Sequence, residues 1–182
     1  MATKCKGIEY DGDLSNVTGR AFIASSDASF ADETETRCSS SGFCFQLFGG
    51  MIHWKAIKQK SVTASSTEAE LLALTVTAKE YIWWTRLFKN LRLDLESPVI
   101  LCDNQQTLRL LQKETPKLAT KLKHIDIHQC WLRQEVQCGN ISVEWVETKK
   151  MIADGLTKSL SPQRHLNFMG QMRLVEVVFA DC

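Results

Sequence analysis

The run FCFQLFGGMIHWKA over residues 43–56 constrains the fold more than any other stretch, because two apolar, aromatic-rich segments flank Gly49-Gly50. Adjacent glycines accept the positive φ of a two-residue reversal, so the run predicts a tight β-hairpin. Its apolar surface must be covered by another layer. The cover follows in sequence: from Ser65 to about Leu91, Leu71, Leu74, Ala78, Tyr81, Trp84 and Leu87/Phe88 recur every three or four positions, the period of a long, largely buried helix. Ahead of the hairpin, GIEY, the turn signal Asp11-Gly12 and AFIASSDASFA predict two strands joined by a turn-rich loop.

Behind the long helix, VILC (99–102) has the short, continuous apolar character of a central strand and stops at Asp103-Asn104. NQQTLRLLQ reads as a short helix, KETPKLATK as a polar connection and HIDIHQCWLRQEV as a further helix ended by Gly139-Asn140. ISVEWV is then a strand and MIADGLTKSL a short helix. The order β-β-β-β-α-β-α-α-β-α predicts an α/β fold, a mixed sheet with helices packed on it.

With 44% hydrophobic and 24% charged residues in 182, the chain can bury a real core as one domain. Its 22 Lys+Arg against 21 Asp+Glu give +1, so no global field draws it to a polyanion and any such ligand must be gripped locally. No apolar run approaches the roughly 20 residues of a membrane span, and MATKCKGIEYDG lacks the apolar core of a signal peptide. An intracellular location, cytoplasmic or nuclear, with no membrane partner is therefore expected. Seven cysteines without a C-x-x-C pair suggest reduced thiols, with Cys44 and Cys102 as small core residues.

Acidic residues mark the element ends. Asp27 lies in or at the end of an early strand, Asp103 directly follows a buried one, and Asp154 begins the last helix, all positions where α/β folds present ligand groups. Two glutamates compete on the long helix. Ser65-x-x-Glu68 fits a capping box, which leaves Glu70 on or beside the packed face, where a lone charge is costly. Thr67-x-x-Glu70 is a rival box, and spacing favours Glu70 as the buried ligand only slightly. His124 and His128, with Cys130 and Cys138 beyond, lack the C-x-x-C half of a zinc site, so a packing role is expected. Trp83-Trp84 fits the core or a docking surface, with base stacking as the alternative. Lys55, Lys58 and Lys60 form a local basic run in the loop between hairpin and helix, read equally as a solvated loop or as a phosphate contact.

Six stretches, SDASFA (26–31), RCSSSGFCF (37–45), IHWKAIKQKSVTASSTEAELLAL (52–74), LCDNQQTL (101–108), KHIDI (123–127) and IADGLTKSL (152–160), together resemble the ribonuclease H domain that closes the Pol polyprotein of copia-type LTR retrotransposons. The resemblance covers about residues 5–175. It implies a ribonuclease H-like fold, a five-stranded mixed sheet flanked by helices. It also implies a metal site of Asp27, Glu70, Asp103 and Asp154, and so selects Glu70 over Glu68. Two Mg²⁺ ions, with Mn²⁺ as a substitute, would be held with Asp27 bridging, Glu70 and Asp103 on the nucleophile side and Asp154 on the other. The implied activity is hydrolysis of the RNA strand of RNA/DNA hybrids during reverse transcription. The implied partners are the hybrid and reverse transcriptase or other Pol segments. Ser29, Lys55, Lys58, Asn104 and Gln105 are polar and suitably placed for substrate contact.

The resemblance frames residues 21–160 as the domain, 1–20 as an N-terminal strand or connection from Pol, and 161–182 as a helical tail. VETKKMIAD lacks the loop histidine of cellular ribonucleases H, Glu147 and Ser159 replace common prolines, and Gly155 weakens the helix carrying Asp154 by roughly 1 kcal/mol relative to Ala. The 182 residues contain no polymerase segment, so an excised domain, a fragment or a remnant gene is expected. The alternative function is a catalytically silent or domesticated remnant that acts as an interaction module.

Overall fold

The computed structural model describes residues 5–10, 20–93, 95, 98–112 and 123–177, with backbone only for 123–126. In chain order the elements are β1 (Lys6–Ile8), β2 (Phe22–Ser29), β3 (Ser40–Leu47), β4 (Gly50–Lys58), α1 (Ser66–Asn90), β5 (Val99–Cys102), α2 (Gln105–Gln112), α3 (Lys123–Gln137), β6 (Val143–Trp145), α4 (Asp154–Thr157), α5 (Pro162–Gln171) and β7 (Leu174–Glu176). Five strands form a mixed sheet in the order β4-β3-β2-β5-β6. β4, β3 and β2 are antiparallel, and β5 joins β2 in parallel, as does β6 to β5. A parallel neighbour requires a crossover, which α1 supplies between β4 and β5.

The hairpin forms one residue earlier than the two glycines suggest. Leu47 pairs with Gly50, so the turn residues are Phe48 (φ 49) and Gly49 (φ 80). Positive φ at both central positions matches the right-handed twist of the flanking strands. Phe48 bears the steric cost, and its N–H is held by the Ala21 carbonyl at 2.8 Å. Gly50 serves a different purpose: a Cβ there would run into the Tyr10 ring.

β1 does not join β2. It pairs antiparallel with β7, with Lys6 opposite Glu176 and Ile8 opposite Leu174. The tail expected to be helical is therefore helix α5 followed by a strand, and it is tied to the N-terminal segment. Burial is the reason: Ile8 and Leu174 pack with Phe168, Leu156 and Ile152 around Cys44, Met51 and Met172. Asp11-Gly12 and the connection 113–121 lie outside the described residues.

Alternation along β2 and β3 gives the sheet two different faces. Phe22, Ala24, Phe43 and Phe45 enter the main core with Leu74, Tyr81 and Phe88 of α1, Leu111 of α2 and Leu132 of α3. Phe22 stacks on Phe45 and meets Phe88 edge-on, with ring centroids 5.7 and 4.9 Å apart. Each such buried aromatic contributes roughly 1.5–3 kcal/mol. Cys44 lies on the other face, under α5 and the β1–β7 ribbon. Cys44 and Cys102 are buried, and the six cysteines among the described residues are free thiols. No helix among them is long and apolar enough to cross a membrane.

Gly42 decides how closely α4 approaches this second face. It pairs with Asp27 across β2 and β3, and a Cβ on it would lie 2.8 Å from Thr157 Cγ2, 2.9 Å from Leu156 Cβ and 3.1 Å from the Ala153 carbonyl. Gly42→Ala should therefore destabilise the protein by about 1–3 kcal/mol in urea denaturation. Gly170→Ala, in α5 with nothing within 4 Å, should be neutral or stabilising by up to about 1 kcal/mol. Equal effects of the two would show that α4 does not depend on the space at Gly42.

Candidate metal centre

The central parallel pair aligns Ser26 with Cys102. Asp27 and Asp103 are the next residues on β2 and after β5, so parallel register sets these two carboxylates side by side at the strand ends. Glu70 arrives from above on α1, whose first turns approach β2 through small residues: Ala69 and Ala73 pack on Ala28. Thr77 and Ser26 hydroxyls meet at 3.0 Å one turn further on. Gln59 fixes the helix start, donating to the Ala69 carbonyl at 2.9 Å and to Ser41 Oγ at 2.8 Å. The result is a group of three carboxylates, Asp27, Glu70 and Asp103, each offering an oxygen within 4.8 Å of the others. It is the one such His, Cys, Asp or Glu cluster among the described residues.

Asp27 is 1% and Glu70 7% exposed. Burial, and then the charges of Asp27 and Asp103, push the Glu70 carboxyl up to about 9, against a hydrogen bond from the Ala28 backbone. Burial likewise raises Asp27 to about 6, opposed by the Thr157 hydroxyl and Lys158 and reinforced by Asp103 and Asp154. The Thr157 hydroxyl donates to Asp27 Oδ2, and the Lys158 ammonium pairs with Asp154 and stands 3.7 Å from Asp27 Oδ1. Asp27 Oδ1 and Glu70 Oε2 are buried and accept no hydrogen bond. Hard carboxylate oxygens, buried, convergent and unsatisfied, fit a hard divalent cation.

The chain is 38% identical over 132 residues to a retrovirus-related Pol polyprotein from transposon TNT 1-94 of Nicotiana tabacum, a match covering 72% of this chain and 10% of that protein. It is 36% identical over 155 residues to the Pol polyprotein from transposon RE2 of Arabidopsis thaliana, covering 85% of this chain and 10% of that one. The chain thus spans about a tenth of the length of these relatives. In structure it resembles LC11-RNase H1 isolated from compost, with TM-score 0.55, 16% identity and coverage of 74% and 91%. The chain is a copia-type Pol homologue with the ribonuclease H fold. LC11-RNase H1 has also been solved in complex with an RNA/DNA hybrid, and that structure superposes with TM-score 0.53, 14% identity and coverage of 74% and 92%. No protein-family model matches the chain.

In this Pol homologue the two glutamates separate cleanly. Ser65 caps α1, its Oγ accepting the Glu68 N–H at 3.2 Å, and Glu68 Oε2 takes the Ala64 N–H at 2.7 Å. Glu68 thus closes the cap while Glu70 enters the cluster. Asp154 begins α4 and pairs with Lys158, and it is not in the three-carboxylate group. Thr157 and Lys158 are the neighbours that sequence reasoning missed. The signal was the i, i+4 spacing of Asp154 and Lys158, which pairs opposite charges on a helix.

The polar residues expected around the site are more scattered. Asn104 caps α2, its Oδ1 accepting the Thr107 N–H at 3.0 Å, and Gln105 is exposed at the helix start. Ser29 aligns with Ser40 and, through it, with Lys58. Lys55 and Lys58 are not in a loop: both lie in the outer strand β4, and only Lys60 is in the connection. Lys55 aligns with Phe43, on the face that carries α1, away from Asp27, whereas Lys58 pairs with Glu33 at 2.9 Å. Beside Asp103, Trp145 is 51% exposed and donates its indole N–H to the Asp103 carbonyl at 3.2 Å. Trp84 stacks on Phe88 and Trp83 is 56% exposed. Cys130 and Cys138 are exposed, and the side chain of His124 lies outside the described residues.

Gly155 carries a packing role that offsets its low helix propensity, since a Cβ there would enter the Phe168 ring of α5.

The raised carboxyls set a pH dependence. Asp27 and Glu70 bind protons in the folded state up to about 6 and about 9, while in the unfolded chain they release them near 4. The folded state therefore binds more protons across that window, and stability falls as pH rises through it. In EDTA, urea denaturation should give a stability lower at pH 9 than at pH 5 by on the order of 1–3 kcal/mol. Glu70→Gln should flatten the part above pH 6. A metal-free protein whose stability rises between pH 6 and 9 would contradict the assignment.

Proposed function

We propose that this chain is a divalent-metal-dependent endonuclease that hydrolyses the RNA strand of RNA/DNA hybrids, in the setting of retrotransposon reverse transcription. The observation that carries the reading is the set of buried, unsatisfied carboxylate oxygens of Asp27 and Glu70 converging with Asp103 at the ends of the central parallel strands. Homology to Pol polyproteins and the ribonuclease H fold support it. Asp27, Glu70 and Asp103 would hold one Mg²⁺, and Asp27 with Asp154 a second. Bound there, such ions supply activation of a water for in-line attack and charge neutralisation at the leaving oxygen. Carboxylates suit this task because Mg²⁺ prefers hard oxygen ligands and keeps open positions for phosphate.

The chain's own residues would orient the hybrid. Ser29, Asn104 and Gln105 flank Asp27 and Asp103 in sequence and offer short polar groups to 2′-hydroxyls, which distinguish RNA from DNA. The exposed Trp145 face offers a stacking surface next to Asp103. Lys58 is the lysine of the basic run on the Asp27 face of the sheet, so it is the better phosphate contact of the two strand lysines. The polymerase would come from other Pol segments, inside the cell.

The test is cleavage of a labelled RNA/DNA hybrid at low salt. Mg²⁺ or Mn²⁺ should support cuts leaving 3′-hydroxyl and 5′-phosphate ends, EDTA should abolish them, and duplex DNA should be spared. Asp27→Asn and Asp103→Asn should lose about 100-fold or more in rate with unchanged far-UV circular dichroism. Glu68→Gln should stay near wild type because Gln still closes the cap, whereas Glu70→Gln should lose both rate and Mn²⁺ binding. Near wild-type cleavage by Asp27→Asn would refute the reading, and equal losses for the two glutamates would reverse their assignment.

A further inference from the structure

Lys158 sits where a cation is wanted. Its ammonium pairs with Asp154 and stands 3.7 Å from Asp27 Oδ1. Asp27 is 1% exposed, so this is no ordinary surface pair: the ammonium addresses a carboxylate at the floor of the site. Thr157, the preceding residue, donates to Asp27 Oδ2. Asp27 Oδ1, 3.7 Å from the ammonium, is left without a hydrogen bond. The space at Gly42 lets α4 settle low enough for both contacts.

We propose that Lys158 is a resident counter-ion of the Asp27–Asp154 half of the site, and that a divalent cation takes this half only by displacing its ammonium. The inference rests on the reading of the four carboxylates as a metal site. Three observations argue for it. The carboxylates already convergent are Asp27, Glu70 and Asp103, while Asp154 is held by Lys158, so the two halves are unequal before any ion binds. The ammonium in contact with Asp154 stands where an ion would have to stand to be held by that carboxylate, and like charges repel strongly at that range, so the tethered ammonium and a free ion compete for Asp154. Lys158 lies at the C-cap of α4, its side chain is 39% exposed, and its unbranched stem can swing into solvent with no change of backbone.

Loading is then ordered. A first ion enters at Asp27, Glu70 and Asp103, and a second enters after Lys158 withdraws. The same residue has opposite effects in the two states. Without metal it relieves the repulsion between Asp27 and Asp154, and with metal it competes. A pair made only for helix stability would do the first and not the second.

The experiment is calorimetric titration of the whole chain with Mn²⁺, together with thermal unfolding in EDTA and in saturating Mn²⁺. Lys158→Met should bind the second equivalent about fivefold or more tightly than wild type, with a smaller gain for the first, since Lys158 contacts Asp154 and stands 3.7 Å from Asp27. It should also melt lower in EDTA and gain more from Mn²⁺. Lys149→Met is the control for charge alone, since Lys149 lines the groove beside Asp154 and makes no ion pair among the described residues. It should leave the second equivalent within about twofold. Should Lys158→Met fail to fold, Lys158→Gln keeps a donor for Asp154 and carries the same expectation, whereas Lys158→Arg should bind like wild type. An unchanged or weaker second equivalent without Lys158, or an equal gain in Lys149→Met, overturns the proposal and leaves the metal site standing. A wild-type protein that binds no Mn²⁺ overturns both.

Discussion

Two carboxylates buried side by side, Asp27 and Glu70, set the terms for everything around them. A charge removed from water is costly, and two like charges at close range are costlier still. The surroundings answer that cost with protons and counter-charge. Glu70 is driven toward its neutral form, and Asp27 is met by the Thr157 hydroxyl and the Lys158 ammonium. Two oxygens still go unsatisfied. Such an arrangement opposes folding, a cost that the divalent cation proposed above would offset.

The scaffold that enforces this burial is the contact of α1 with β2. The contact is graded along the helix. Near the site it is built from the small residues Ala28, Ala69 and Ala73, and further along from the large ones Phe22, Tyr81 and Phe88. The small end aims Glu70 at the strand ends, and the large end supplies the apolar burial that opposes the electrostatic cost. On the opposite face, Gly42 plays the matching part by admitting α4. Site geometry thus follows from residue size at a few contacts as much as from the acids themselves.

Much of the fold was legible because its signals are local. The helix over 66–90, the hairpin and the buried strand ending at Asp103 follow from periodicity and turn chemistry within a few residues. The hairpin was displaced by one residue because Gly50 answers to Tyr10, forty residues upstream, and Phe48 takes the strained turn position instead. The pairing of β1 with β7 was not legible at all, since nothing near Lys6–Ile8 points to a partner at Leu174–Glu176. The basic run read as a phosphate-gripping loop is an edge strand whose alternation sends Lys55 and Lys58 to opposite faces.

By itself, the sequence determined the order of elements, the carboxylates available at their ends and, through the joint pattern of six motifs, the resemblance to ribonuclease H, because each of these depends on spacings along the chain. Only the tertiary structure decided which acids converge, that Glu70 is buried while Glu68 closes the cap, and that Asp154 is held by Lys158 outside the three-carboxylate group. Those outcomes depend on burial and on distances across the sheet between residues far apart in sequence. The energy of a charge is set by what surrounds it in space, and a linear spacing carries no record of that.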